Sequence, residues 1–463
     1  MIHAALLLAL AADFDSNFTG CTLRFDYHHV GTAGEQHVAY SGLRLEGEWA
    51  GSKRQLVDPE TLGQYRFRVL DAASGSLVFA HAFSSIYGEW KSTGEAKERW
   101  GSIEESQRFP EPKRPVILAL DERGDDGVFK EFWRQEIDPA SRFVDRSPLV
   151  KQGEVLTLAD HGPIANKVDL LVIADGYTAE QRGKLEADAK RLTGALLSTE
   201  PFKRHASDFN VRVLHVPSTS SGISNPRKNE WRTSLLGLAF NAFDSDRYVL
   251  TFSDRALREA AASVPYDALI LLANERKYGG GGIYNLWATC TADTEPSAYV
   301  FVHEFGHSFA GLADEYYSSQ VAYEDLTKPG VEPWEPNVTA LLDPAKLKWR
   351  DLVESGTPLP TPWNQTHYDE VDLGYQAKRK AAIDAKATEE TNEALMREIK
   401  ALTQPLLAAE KHYGKVGAFE GSMYLAKGLY RPEVDCIMFT RNPSTFCKVC
   451  ERALEQTIRR YVD

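Results

Sequence analysis

The chain has 463 residues, 43% of them apolar, so it is too long for one compact core and apolar enough to build two. Its formal net charge of −13 offers no basic stripe to neutralise phosphates, which argues against nucleic-acid binding. No stretch reaches the roughly eighteen apolar residues that a membrane span needs.

The opening residues, MIHAALLLALAADFDS, hold a short apolar run ending in Ala9, Leu10 and Ala11, similar to a small-residue cleavage site but without a basic segment before it. A signal peptide over residues 1–12 and a secreted or periplasmic location are the expectation. Residues 13–145 read as an N-terminal antiparallel β-sandwich. In QYRFRVLDAASGSLVFAHAF, Tyr65, Phe67 and Val69 alternate with polar residues before a Ser-Gly turn, the pattern of a hairpin. VAYSGLRLEGEW and RPVILALDERG repeat it at similar spacing. His28 and His29 are adjacent, so in a strand they face opposite ways and cannot chelate together.

A Pro-punctuated stretch around residues 139–165 precedes the second domain, 160–463. VDLLVIADGY is a continuous apolar strand, and Thr178 is placed to cap a helix whose Leu185, Ala189, Leu192 and Leu196 share one face. FNVRVLHV and YDALILLANE follow, so a mostly parallel sheet covered by helices is expected. The whole chain then reads as α+β multidomain. KYGGGGIYNLWATC lacks the frame of a phosphate loop and reads as an exposed edge strand. Residues 376–413, rich in Ala, Lys and Glu, read as a helical insertion with a solvated face.

Five cysteines are too few for a disulfide scaffold. Three of them, Cys436, Cys447 and Cys450, crowd into DCIMFTRNPSTFCKVC, where one local disulfide of unassigned pairing is expected. A structural zinc would need a fourth ligand, and the neighbouring sequence offers none.

The chemistry concentrates in AYVFVHEFGHSFAGLADEYY, residues 298–317. Ser297 follows Pro296 and is placed to cap a helix anchored by Ala298, Phe301, Val302, Phe305 and Phe309. His303 and His307 then project one turn apart from one face, the separation two imidazoles need to hold one tetrahedral zinc. Glu304 lies beside the first histidine, within reach of a water on the metal without being a ligand. Gly311 is suited to end the helix and turn the chain back, which makes either Asp314 or Glu315 available as the third ligand.

HEFGHSFAGLADEY, the later GLYRPEVDCIMFTRNPSTFC and the N-terminal FSSIYGEW resemble the M64 metallopeptidases, the family of certain bacterial IgA-cleaving proteases. The resemblance runs from about Cys21 to Tyr461. It implies a metzincin-like catalytic domain behind a β-sandwich, with His303, His307 and Asp314 as zinc ligands and Glu304 as general base. Two features depart from the general metzincin pattern HExxHxxGxxH: the glycine comes one residue later, and the third ligand is a carboxylate. Met438 matches the methionine that metzincins place beneath the zinc, and Tyr430 ahead of it is a candidate donor to an oxyanion. The expected activity is zinc-dependent endoproteolysis of extracellular proteins, with the substrate added as a strand along GGIYNLWATC. A zinc amidase or deacetylase and a non-catalytic adhesin are the alternatives. IgA cleavage itself does not follow, because substrate choice lies in loops.

Overall fold

The computed structural model describes residues 13–59, 62–318, 328, 330–443 and 445–462. The expected signal peptide lies outside the described residues.

Eight strands build the N-terminal part: β1 (Phe18–Gly31), β2 (Gln36–Glu48), β3 (Tyr65–Asp71), β4 (Leu77–Phe83), β5 (Gly101–Pro112), β6 (Val116–Arg123), β7 (Phe129–Ile137) and β8 (Val144–Asp145). They form two four-stranded sheets, ordered β5-β1-β2-β8 and β4-β3-β6-β7. Tyr65, Phe67 and Val69, alternate residues of β3, are fully buried, because alternate side chains of a strand share a face. They meet Phe25 and Phe109 in one core. The sandwich is antiparallel except at β8, which pairs parallel with β2.

The second part is a six-stranded sheet ordered β13-β14-β12-β10-β11-β9, from β9 (Glu154–Ala159), β10 (Val168–Asp175), β11 (Phe209–His215), β12 (Ala268–Ala273), β13 (Gly280–Ile283) and β14 (Trp287–Thr291). The four inner strands are parallel, and β9 and β13 close the two ends antiparallel. Thr178 and Gln181 cap each other reciprocally ahead of the helix Arg182–Leu197, as a Ser/Thr-x-x-Gln pattern should. A small hairpin of β15 (Phe419–Ser422) and β16 (Leu425–Arg431) precedes the C-terminal helix Lys448–Val462. The Ala/Lys/Glu-rich region is two antiparallel helices, Gln365–Asp384 and Glu389–Ala408. Among the described residues no helix is long and apolar enough to cross a membrane.

The two parts share packing. Ile86, Tyr87 and Trp90, from FSSIYGEW, lie in one apolar cluster with Ile173, Leu271 and Trp287 of the large sheet. The Arg24 guanidinium, fully buried, reaches Glu46 in its own sheet at 2.7 Å and Glu259 across the junction at 2.5 Å. Burial of so hydrated an ion is tolerated only because carboxylates surround it.

Candidate metal centre

The central helix runs Ser297–Ala310. Its N-cap is Pro296, with no side-chain cap; Ser297 sits inside the first turn, where its Oγ accepts from Arg191 Nη1 at 2.9 Å. The capping expectation for Ser297 therefore fails, and the helix forms for another reason. Phe301 and Phe305 are fully buried and Phe309 nearly so. At about 1.5–3 kcal/mol for each buried phenylalanine, this face outweighs the about 1 kcal/mol of a missing cap. Gly311 ends the helix in the left-handed region at φ 64°, as expected, and its N–H bonds the His307 carbonyl at 3.0 Å.

His303 and His307 bring their Nε2 atoms to 3.0 Å of each other. Asp314 Oδ1 lies 3.0 Å from the first and 3.2 Å from the second. The three atoms thus converge on one point. Each imidazole is oriented from behind: His303 Nδ1 donates to the Ile437 carbonyl at 3.1 Å, and His307 Nδ1 donates to the Leu312 carbonyl at 2.5 Å. A carbonyl can only accept, so both Nδ1 atoms carry a proton, and in the neutral imidazoles that bind metal both Nε2 atoms present lone pairs. Two lone pairs and a carboxylate oxygen at such separations repel unless a cation stands among them. For ligands about 2.0–2.1 Å from a tetrahedral zinc, neighbouring donor atoms lie about 3.3 Å apart, close to what is found. The residues fit a metal.

The electrostatics call for positive charge at the same point, which a proton on His307 supplies when no metal stands there. Burial opposes a charge on His307, but the Asp314 carboxylate lifts it to about 9. Burial pushes the Asp314 carboxyl up, and the two histidines more than reverse this, holding it well below its usual range. Glu304, beside the pair and lining the cleft, is raised mainly by burial, as suits a base that must hold a proton briefly.

Asp314 and Glu315 turn opposite ways. Asp314 faces the histidines and accepts from Tyr424 Oη on its other oxygen. Glu315, fully buried, faces away, towards Asn337 and Cys450. Met438 is fully buried beneath the helix: a Cβ on Gly306 would meet its sulfur at 3.3 Å, and its carbonyl accepts from Glu315 N at 2.8 Å. Tyr430 does not line the cleft; it pairs through its backbone with Thr339. Tyr316 and Tyr424 occupy the place expected for it, and their only signal in the sequence is closeness to the ligand loop and the turn.

The centre opens into a cleft of about 990 Å³. One wall comes from the sandwich, through Ser84, Gly88 and Glu89, and another from the helical hairpin, through Tyr375, Arg379 and Lys400. The hairpin, expected as a solvated insertion, is thus also part of the site.

β13 is the edge strand of the sheet, as expected, but its outer side is largely occupied. Gly280 N–H donates to Arg247 O and Gly280 O accepts from Val249 N, both at 3.3 Å, and past the strand Ser84 N–H donates to Tyr284 O at 2.9 Å. Since alternate residues of a strand point their backbone groups the same way, Gly282 is the strand residue left to offer N–H and C=O outward. The glycine run also has a packing cause. A Cβ on Gly282 would stand 2.4 Å from Glu304 O and 2.7 Å from His307 Cβ, and one on Gly281 2.2 Å from the Tyr248 ring. Gly282→Ala is therefore expected to lose about 1–3 kcal/mol of stability by overpacking and to lose activity beyond the unfolded fraction, since the helix must shift. Thermal melts and turnover on one preparation check this; wild-type values in both would refute the tight approach.

A donor set of two imidazoles and a carboxylate, with a glutamate beside it in a broad cleft, is that of a metal-dependent hydrolase. The chain belongs to peptidase family M64: the model described as IgA peptidase M64 matches residues 156–458, and the model of the M64 N-terminus matches residues 13–134. Membership makes it a peptidase with a protein or peptide substrate, and implies a metal cofactor. No curated protein matches the chain.

Proposed function

We propose that the protein is a zinc metalloendopeptidase of metzincin-like design, acting on extracellular proteins after export. The observation that supports it best is the meeting of His303 Nε2, His307 Nε2 and Asp314 Oδ1 with both Nδ1 protons already committed to carbonyls. Two imidazoles and one carboxylate suit zinc, which as a Lewis acid would polarise the scissile carbonyl and acidify a water. Glu304 takes the proton of the attacking water and passes it to the leaving amine. Gly282 holds the substrate backbone through its outward N–H and C=O, and Tyr316, which lines the cleft while Tyr424 Oη is committed to Asp314, donates to the oxygen that becomes negative. Domain limits near residues 13–145 and 160–463 accord with this division of labour, with the sandwich forming a cleft wall. The apolar start MIHAALLLALA is the support for export.

The cleft also suggests a substrate preference. Arg247, Arg379 and Arg441 line it together. Burial, and then the charge of Arg247, draws the Arg379 guanidinium down to about 10. Among the described residues neither Arg247 nor Arg379 has an ion-pair partner. Glu304 faces Arg247 and Asp372 faces Arg379 at longer range, and an acidic side chain of the substrate would supply a closer counter-charge. A peptide library digested by the purified protein is therefore expected to show cleavage, abolished by chelator, enriched for Asp or Glu near the scissile bond. That enrichment should fall in Arg379→Gln. No cleavage would overturn the endopeptidase reading, and cleavage indifferent to acidic residues would remove the arginines from specificity.

A further inference from the structure

The disulfide expected among Cys436, Cys447 and Cys450 is not formed: all three are free thiols. They meet instead around Glu315. Cys450 Sγ lies 3.3 Å from Glu315 Oε1 and 3.9 Å from Cys436 Sγ, and the four potential ligand atoms, Cys447 Sγ included, lie within 4.8 Å of one another. We propose that these four side chains bind a second, structural zinc ion, distinct from the one held by the histidines.

The donor set is that of a closed site. Zinc takes four ligands in structural sites, and sulfur atoms about 2.3 Å from a tetrahedral zinc stand about 3.8 Å apart, close to the separation of Cys436 and Cys450. Cys436 and Glu315 are 1% and 0% exposed, and Cys450 is 0%. No water or substrate has room to reach the centre, so the role is structural.

Backbone N–H groups point at two of the sulfur atoms. The Cys447 N–H donates to Cys436 Sγ at 3.2 Å, and the Cys450 N–H to Cys447 Sγ at 3.5 Å, so backbone donors are already aimed at sulfur. Cys447 immediately precedes the helix Lys448–Val462 and Cys450 lies in its first turn, where unsatisfied N–H groups favour negative charge. Behind the carboxylate, Asn337 Nδ2 donates to Glu315 Oε1 at 2.9 Å while Asn337 Oδ1 accepts from Ala313 N at 2.7 Å, which fixes the orientation of a ligand from outside, as metal sites commonly do. Glu315 Oε2 has no hydrogen-bond partner although it is buried. An orphaned carboxylate oxygen in such a place is costly, and a cation among the four ligands removes the cost.

A disulfide explains less. Pairing any two of the thiols leaves the third thiol and the carboxylate unmatched, and burial denies a redox partner access to a Cys-x-x-Cys pair that would otherwise invite one.

The location gives the ion a purpose. Glu315 follows Asp314 directly, and Cys436 precedes Ile437, whose carbonyl holds His303 Nδ1. One ion would thus tie the Asp314 loop, the turn behind His303 and the C-terminal helix into one unit.

The test uses the full chain with His303→Ala and His307→Ala together, which removes the histidine site and leaves the cysteines whole. The folded double variant, purified under reducing conditions, is expected to retain one equivalent of zinc by elemental analysis. After exchange into Co²⁺ it is expected to show a near-ultraviolet thiolate-to-cobalt charge-transfer band, which the histidine site cannot produce. The wild type should show the same band, so the outcome does not hang on the variant folding or on the peptidase reading. A wild-type protein whose cobalt form lacks that band, or whose peptide map shows a disulfide within the cluster, would overturn the proposal. Cys450→Ser should weaken or abolish the band; an unchanged band would also overturn it.

Discussion

Glu304→Gln is expected to keep the histidine-site metal and lose about 10²–10⁴-fold in turnover, the usual contribution of a positioned acid–base group. The residue sits beside His303 but its carboxylate belongs to neither the His303–His307 contact nor the Asp314 contacts, so its removal spares the donors that would bind metal. Glutamine preserves size and one acceptor and deletes the ability to take a proton. Burial already raises the Glu304 carboxyl, which makes it a stronger base than a solvated glutamate. Metal content and turnover are to be measured on the same preparation. Wild-type turnover would remove Glu304 from its role; lost metal would make it a ligand or a support for one.

Local periodicity carried far in this chain. The alternation of Tyr65, Phe67 and Val69 was enough to read β3, and all-apolar VDLLVIAD to read a strand buried on both faces. The i, i+4 spacing of His303 and His307 placed both imidazoles on one helical face without any tertiary information. These readings succeed because the physics behind them spans only a few residues.

Where distant segments decide, the sequence was silent. Ser297 has the chemistry of a cap but spends its hydroxyl on Arg191. The fork between Asp314 and Glu315 depends on the backbone path after Gly311, which Asn337 and the Met438 carbonyl help to fix. Tyr430 and Tyr424 lie on the same hairpin, and its bends decide which ring reaches the carboxylate; Tyr424 lies in the left-handed region at φ 65°. The thiol cluster looked one ligand short because its fourth member, Glu315, lies far back in the chain, in the very stretch already read for the histidine site. The run of glycines reads in the sequence only as an edge strand, and the folded chain adds its close approach to the Glu304–His307 segment.

Asp314→Ala is expected to abolish metal binding at the histidine pair and, with it, all peptidase activity. Among the described residues the Asp314 carboxylate is the one placed within 3.2 Å of both Nε2 atoms, and two imidazoles without a third ligand make a weak zinc site. Losing a residue that merely orients a ligand typically costs 10–100-fold in metal affinity, so losing the ligand itself should cost more than about 100-fold. Tyr424→Phe provides the comparison: it deletes a donor to Asp314 and keeps the carboxylate, and should fall within the 10–100-fold range. Asp314→Glu should not rescue. Oδ1 already stands 3.0 Å from His303 Nε2, and one more methylene would drive the carboxylate into the ring or past the metal. Affinity is to be read by chelator competition, with the protein lacking both histidines as the baseline so that metal held elsewhere is subtracted. Wild-type affinity at the histidine site in Asp314→Ala would refute the assignment, because Glu315, turned towards Cys450 at 3.3 Å, cannot take its place without rebuilding the loop.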